Sequence, residues 1–274
     1  MKEFIQHITS QLNDLYPADE AEALAWWIAE ELTGQSRTQL QFGYKGTINF
    51  PNLQTIIERL RDFEPIQYIF GHTLWCGLDI KVTPATLIPR PETAELVNKV
   101  ERVKMEGDRL KVLDIGTGSG CIAIALKKAH PEWNVMGIDI SAEAIEVAKE
   151  NAVRNGADVS FLQKDIFPDE IECFGTYDIV VSNPPYICEK EKKDMRPNVL
   201  NYEPASAIFV PDNDPLLFYR RIAELRLGTY LFFEINETYA VEMENLLRNT
   251  HYIDIQTHND IYGKPRVIQG RMAE

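Results

Sequence analysis

The sequence has 274 residues, 45% hydrophobic and 26% charged, with a formal net charge of -14. That length holds one large or two smaller domains of ordinary globular composition. The acidic balance argues against a protein whose affinity rests on Lys and Arg clustered against nucleic-acid phosphates, and it is compatible with a basic protein partner.

The first residues, Met1 to His7, lack the uninterrupted apolar region of a signal peptide. No segment approaches the roughly 20 apolar residues that a membrane span needs. Cys76, Cys121, Cys173 and Cys188 form no C-x-x-C pair and have no His at a ligand-like spacing. Free thiols in a reducing cytoplasm, and no metal site, are the expectation.

Residues 1–63 read as a helical domain. Ile5, Ile8, Leu12 and Leu15 repeat at three- and four-residue steps, as do Ala23, Leu24, Trp27, Ile28 and Leu32, with Gly34 as a stop. Of the pair Trp26-Trp27, one ring is expected in the core. Asn52 is a candidate N-cap for a helix to Phe63 that carries Leu53, Ile56, Ile57 and Leu60 on one side. Residues 64–90 change character. Ile80 and Val82 alternate with Asp79 and Lys81, and Gly71 and Gly77 punctuate the stretch, which predicts a β-hairpin linker. It closes with Leu87-Ile88-Pro89-Arg90-Pro91-Glu92-Thr93, in which the prolines hold the backbone extended around Arg90. Arg90 and Glu92 are a candidate surface ion pair at the start of the next helix.

Residues 91–274 alternate strand and helix. Strands are expected over Lys111–Ile115, Asn134–Ile138, Val159–Leu162, Tyr177–Ser182 and Thr229–Ile235, with helices from Gly120 to Lys128 and, capped by Ser141, from Ala142 to Asn155. Late strands follow at His251–Ile255 and Arg266–Gln269. This alternation predicts a doubly wound α/β fold: a mostly parallel Rossmann-like sheet with a late antiparallel strand.

Chemistry-bearing residues gather at the carboxyl ends of these strands, where open α/β sheets bind ligands. The first strand runs into Asp114-Ile115-Gly116-Thr117-Gly118-Ser119-Gly120. Glycines permit a tight turn and close ligand approach, and the following helix start offers free N–H groups. Asp139 ends the second strand about 20 residues later, where a carboxylate can accept from both hydroxyls of a ribose. Its alternative role is a favourable charge at a helix N-terminus. The pattern is G-x-G-x-G, with neither G-x-G-x-x-G nor the Gly-Lys-Ser/Thr of a phosphate loop, so the nucleoside ligand need not carry a pyrophosphate. A compact turn preceded by Asp114 suits the amino-acid end of S-adenosyl-L-methionine. Asp165, with Ile166 and Phe167 as walls, stands where an adenine amino group can be held, or is a loop Asx turn. The fourth strand ends in Asn183-Pro184-Pro185-Tyr186. That tetrapeptide sets a side-chain amide, proline carbonyls and an aromatic face at one point, and suits a planar NH2 group; a rigid turn is the alternative.

Taken together, these residues resemble a class I S-adenosyl-L-methionine-dependent methyltransferase. More closely, the chain resembles the protein-(glutamine-N5) methyltransferase family, PrmC or HemK, that modifies peptide chain release factors. The resemblance rests on Glu64 to Ile69 with Gly71, Leu87 to Thr93, Asp114 to Leu126 and Ser182 to Ile187. Glu203-Pro204, Glu234-Ile235, and Asp260 with Gly263 and Arg266 complete it. Departures are Phe209 to Leu216 where the family often has G-x-D-G-L, Asn236 where it has Gly, and Ile166 where an aromatic is common.

The resemblance implies transfer of a methyl group to the N5 amide of the glutamine in the Gly-Gly-Gln loop of class 1 release factors. It further implies a helical domain that grips this partner, no direct nucleic-acid or membrane partner, and a cytoplasmic location. Asn183, Pro184, Pro185 and Tyr186 become the catalytic set: the Asn183 oxygen and Pro184 carbonyl accept the two substrate N–H bonds, Pro185 fixes the turn, and Tyr186 packs against the amide plane. Gly116, Thr117, Gly118, Ser119, Gly120, Asp139, Asp165, Ile166 and Asn183 become the cofactor site, bordered by Arg90 and Thr93. Competing readings are an adenine-N6 nucleic-acid methyltransferase, a glutamine methyltransferase for a ribosomal protein, and a silent binding module.

Overall fold

Apolar stripes at helical spacing need a partner surface, and the first helices supply it for one another. A computed structural model describes residues 1–274 except 45, 47–49, 104, 106, 108, 169–174 and 274; Cys173 lies outside the described residues. The chain divides into two compact units, Met1–Gly71 with Arg196–Tyr202, and His72–Met195 with Glu203–Glu274.

The first unit contains α1 (Lys2–Leu12), α2 (Ala18–Thr33), α3 (Arg37–Phe42), α4 (Leu53–Arg61) and α5 (Ile66–Phe70). Ile5, Ile8 and Leu12 pack with Ala21, Ala25, Ile28, Ile57 and Leu60. The buried stripe of α2 is Ala21, Ala25, Ile28 and Ala29, and Ala23 is exposed; small side chains let α1 come close. Leu15 lies beyond the end of α1. Both Trp26 and Trp27 are half-buried against this core, and the Arg37 guanidinium sits over the Trp26 ring, 4.8 Å from its centroid. Gly34 ends α2 in the left-handed conformation, φ 65°. Asn52 precedes α4 but its side chain makes no capping bond. The stretch expected to be only hairpin holds α5, and Ile66 joins the helical core.

The second unit opens with the hairpin β1 (His72–Trp75) and β2 (Leu78–Lys81), turned through Cys76 and Gly77, both at positive φ. Then come α6 (Thr93–Glu101), β3 (Lys111–Ile115), α7 (Cys121–Ala129), β4 (Asn134–Asp139), α8 (Ala142–Asn155), β5 (Ser160–Gln163) and β6 (Tyr177–Ser182). A short parallel pair follows, β7 (Ile187–Cys188) and β8 (Phe209–Val210). Between its strands, α9 (Pro197–Leu200) belongs to the helical unit, where Arg196 pairs with Glu20 and the Tyr202 hydroxyl donates to the Asp62 carbonyl. The chain ends with α10 (Leu217–Leu225), β9 (Gly228–Glu234), α11 (Ala240–Asn249), β10 (Tyr252–Asn259) and β11 (Pro265–Met272).

The main sheet has seven strands in the order β10-β11-β9-β6-β3-β4-β5. β9, β6, β3, β4 and β5 are parallel, and β11 returns antiparallel to β9 with β10 beyond it. This is the doubly wound, Rossmann-like arrangement that the alternation predicts. Strands covered on both faces bury nearly every residue, as Val112 to Ile115 and Ile179 to Ser182 do. Strand order reverses between β3 and β6, so the loops after these two strands diverge and open a crevice at their carboxyl ends.

The hairpin is fastened to α8 by two asparagines. Asn151 donates to the Lys81 carbonyl at 2.9 Å and accepts from the Lys81 amide at 2.7 Å. Asn155 does the same for Asp79, at 3.0 and 3.1 Å. Each side-chain amide imitates a strand neighbour, offering one donor and one acceptor to β2.

Candidate active site

The turn between β3 and α7 is held by backbone geometry first. Gly116, Gly118 and Gly120 adopt φ of 71°, 54° and 80°, a region that L side chains enter at a cost. The Gly116 and Thr117 amides both donate to the Ile138 carbonyl at 2.9 Å, tying the turn to β4. Gly120 has a second reason to be glycine: a Cβ there would lie 3.0 Å from the Ala148 Cβ and 3.1 Å from the Phe161 ring. Gly137 in β4, which strand periodicity does not flag, is needed equally, because a Cβ would stand 2.6 Å from the Thr117 hydroxyl.

Two carboxylates bracket this turn. Asp139 accepts from the Gly118 amide through Oδ2 at 2.9 Å and from the Ser141 amide through Oδ1 at 3.0 Å. It therefore braces the turn and the start of α8 while lining the crevice. Asp114 lies beneath, fully buried. Its Oδ2 accepts from the Thr117 hydroxyl at 2.7 Å, and its Oδ1 has no partner among the described residues. Burial pushes its pKa up to about 7, against the pull of the Thr117 bond. Asn151 reaches this turn too, donating to the Ser119 carbonyl at 2.9 Å.

The crevice collects Arg90, Thr93, Gly116, Thr117, Gly118, Ser119, Asp139, Asp165, Ile166, Asn183, Pro184 and Pro185 along one wall-to-wall surface. Gly120 and Tyr186 are not part of that lining. Gly120 serves packing, and Tyr186 turns away to donate its hydroxyl to Glu234 Oε1 at 3.3 Å. The Asp165 Oδ1 accepts from the Phe167 amide at 2.9 Å, an Asx turn. The aromatic wall is Phe167, set edge-to-face on Phe218 of α10 at 5.4 Å. Phe218 has no signal in the sequence, because α10 contributes it from a distance along the chain.

Arg90 does not pair with Glu92. Its Nη2 donates to Glu203 Oε1 at 2.6 Å, and Glu203 Oε2 accepts from the Ile88 amide at 3.1 Å. The Glu203 side chain is only 1% exposed, so the pair is an internal clasp. Trp75 adds a bond from Nε1 to the Arg90 carbonyl at 2.8 Å. The Leu87 to Thr93 segment is thereby fixed along the crevice.

Asn183 follows β6, whose last residue, Ser182, is buried and donates to the Ile115 carbonyl at 2.6 Å. Asn183 Nδ2 donates to the Thr93 hydroxyl at 3.3 Å. Among the described residues its Oδ1 accepts no hydrogen bond; Asn183 lines the crevice next to Pro184 and Pro185, which have carbonyls but no N–H. The two prolines add acceptors beside Asn183 without adding N–H donors.

Comparison with known proteins gives the class first. Residues 93–201 match the methyltransferase small domain and residues 3–71 match the PrmC N-terminal domain. Solved structures agree in fold: the hMettl16 catalytic domain in complex with MAT2A 3'UTR hairpin 6 (TM-score 0.58, 17% identity, 72% of this chain and 77% of that one) and a methyltransferase from Pyrococcus furiosus (TM-score 0.53, 18% identity, 82% and 100%). The chain is thus a methyltransferase.

The relatives narrow it further. The release factor glutamine methyltransferase of Bacteroides thetaiotaomicron is 44% identical over 98% of this chain and 99% of its own length. That of Flavobacterium psychrophilum is 40% identical over 98% of each. The chain belongs to the release factor glutamine methyltransferase family.

Proposed function

We propose that the chain transfers a methyl group from S-adenosyl-L-methionine to the N5 amide of the glutamine in the Gly-Gly-Gln loop of class 1 peptide chain release factors, in the cytoplasm. The observation that carries this is Asn183, whose Nδ2 is engaged by Thr93 while its Oδ1 accepts no hydrogen bond among the described residues, next to two prolines. Such a site favours a ligand that turns N–H donors towards it, as the NH2 of a side-chain amide can.

The crevice suits the cofactor: a glycine turn with accessible backbone, a carboxylate at the end of β4, and apolar walls from Ile140, Ile166 and Phe167. Gly116 to Ser119 would hold its amino-acid end, Asp139 the ribose and Asp165 the adenine edge, with Arg90 and Thr93 as border. Asp139 Oδ1 and Oδ2 retain lone pairs for ribose hydroxyls after accepting from Gly118 and Ser141. When bound, S-adenosyl-L-methionine supplies an electrophilic sulfonium methyl.

An amide nitrogen is a weak nucleophile because its lone pair is delocalised into the carbonyl. The Asn183 Oδ1 and the Pro184 carbonyl accept its two N–H bonds, fix the nitrogen, and favour a more pyramidal geometry. Positioning of this kind supplies up to about 7–11 kcal/mol in well-oriented systems. As positive charge develops on nitrogen, the same two oxygens stabilise it. The proton leaves after transfer, so no strong base is required beforehand. Tyr186 supports the turn from behind through its bond to Glu234. The helical unit, 1–63 by sequence and extended to Gly71 with Arg196–Tyr202 in the structure, would grip the release factor away from its loop.

The test is transfer of labelled methyl to purified release factor, with its loop glutamine replaced as control. Label in the wild-type factor alone supports the reading. Label that survives replacement of the glutamine, or that enters DNA, RNA or a ribosomal protein in preference, would sink it.

A further inference from the structure

Glu234 is an acid of this region that the proposed chemistry leaves unused. It ends β9 and is completely buried. Oε1 accepts from Tyr186, and Oε2 has no hydrogen-bond partner among the described residues. Thr93 acts on it from the start of α6; Thr93 is almost fully buried, and its hydroxyl accepts from Asn183 Nδ2. Thr93 therefore has a proton to give, and Glu234 has an oxygen without one. The Thr93 hydroxyl acts on the carboxylate in the sense that favours its charged form.

Resting on the reading of Asn183 as the substrate acceptor, we propose that Glu234 is a positioning residue: Oε2 takes the Thr93 proton, which leaves Thr93 only lone pairs for Asn183 and so keeps Asn183 Oδ1 turned to the substrate amide. The logic is one of donor count. An ionised carboxylate only accepts, and it receives one proton from Tyr186 and one from Thr93. The Thr93 oxygen must then accept from Asn183, and a single amide orientation satisfies the chain. A protonated Glu234 can donate to Thr93. Thr93 can then donate to Asn183, and both amide orientations are satisfied. Charge on Glu234, which never touches the substrate, selects the orientation that does.

The surroundings set where this selection operates. Glu92 and Thr93 face Glu234 from the start of α6, Tyr186 from the loop after β6, and Arg266 from β11, itself paired with Asp260. The Tyr219 hydroxyl of α10 donates to the Glu234 carbonyl. Burial raises the Glu234 pKa to about 7; Thr93, Arg266 and Tyr186 pull it down, and Glu92 raises it. The ordered state of Asn183 is therefore present above neutrality and lost as pH falls through it.

The experiment follows the side-chain amide of Asn183 by nitrogen-15 NMR on the full chain from about pH 5.5 to about pH 8.5, spanning both protonation states. Its signal is assigned by its loss in Asn183→Ala. In the wild type it titrates with a midpoint near that of Glu234. In Glu234→Gln and in Thr93→Val it does not titrate, whereas Thr93→Ser restores the titration. Asp114, which titrates in the same range beneath the glycine turn, is the control, and the Asn183 titration persists in Asp114→Asn.

Methyl transfer gives the second readout. Glu234→Gln lowers kcat by about tenfold or more with KM for the release factor little changed, as loss of an interaction made in the transition state requires. The double variant with Thr93→Val is no worse than Thr93→Val alone, since the two act in one chain. A wild-type Asn183 signal indifferent to pH, a titration that survives in Glu234→Gln, or additive kinetic losses in the double variant would each overturn the inference. Because the NMR needs no substrate, a protein whose Asn183 titrates but which labels no release factor would refute the proposed substrate and leave the Glu234 role standing.

Discussion

At the scale of single residues, the site is a set of polar atoms whose partners have been chosen to leave particular ones free. Asn183 is the clearest case. Asn183→Ala should reduce methyl transfer by about 10²-fold or more, the loss typical of misplaced reacting groups, while thermal unfolding stays near that of the wild type, since the side chain makes one long bond to Thr93. Activity within a few-fold of wild type would remove Asn183 from the mechanism. Asp139 joins two roles that the sequence left as alternatives, support for a helix start and a face on the crevice. Asp139→Asn keeps the shape but exchanges one acceptor for a donor opposite the Gly118 or Ser141 amide. Weaker S-adenosyl-L-methionine binding by calorimetry, about tenfold or more, is the expected outcome for loss of a charge-assisted bond. An unchanged Kd would contradict it.

At the scale of elements, legibility followed burial and period. β6 and α8 have the bounds their apolar runs and caps predict, and Ser141 accepts from the Ala144 amide as an N-cap should, worth about 1 kcal/mol. The two-residue strands β7 and β8 have no period to read. α5 was hidden by Gly71, which reads as hairpin punctuation but is a helix stop at φ 78°. Partner choice was the least legible property. Arg90 has Glu92 two residues away, yet its charge meets Glu203, because only the folded chain brings that buried acid alongside. Asn151 likewise reads as an ordinary helical residue. Its three bonds, two to Lys81 and one to Ser119, join the hairpin to the glycine turn. Asn151→Ala removes the side-chain partner of the buried Ser119 carbonyl and of the half-buried Lys81 amide and carbonyl, so denaturant unfolding should show a loss of about 2–4 kcal/mol. A loss under about 0.5 kcal/mol, the range of ordinary surface substitutions, would show that water replaces the side chain.

At the scale of the whole molecule, two buried acids set how stability depends on pH, and the proposed role of Glu234 sets the activity against it. Asp114 and Glu234 both have pKa values raised to about 7 by burial. The folded state holds their protons more tightly than the unfolded chain, so this contribution to stability is full below the ordinary carboxylate range and is lost as pH rises through about 7. In the other direction, the Arg220 guanidinium holds Asp214 below its usual value, and the Lys264 and Tyr262 amides together with Arg266 hold Asp260 below its usual value. Their contribution is present above the ordinary carboxylate range and is lost in acid. Stability should therefore be greatest on the mildly acidic side of neutrality, with transfer favoured on the basic side. Thermal unfolding of Glu234→Gln should lie a few degrees above wild type near pH 8.5 and converge with it near pH 4. A variant less stable than wild type at both would mean that the carboxylate is retained for packing rather than for its charge.

The asparagine clasp on β2 has one more consequence. A two-stranded hairpin has outward-facing amides and carbonyls that invite a further strand from another molecule. On β2 those groups belong to Asp79 and Lys81, and Asn155 and Asn151 occupy them pair by pair. Because a helix presents these groups as side chains, the edge is filled by something that cannot itself be extended. The clasp that steadies the crevice thus also terminates a sheet, and its loss would expose a template for self-association.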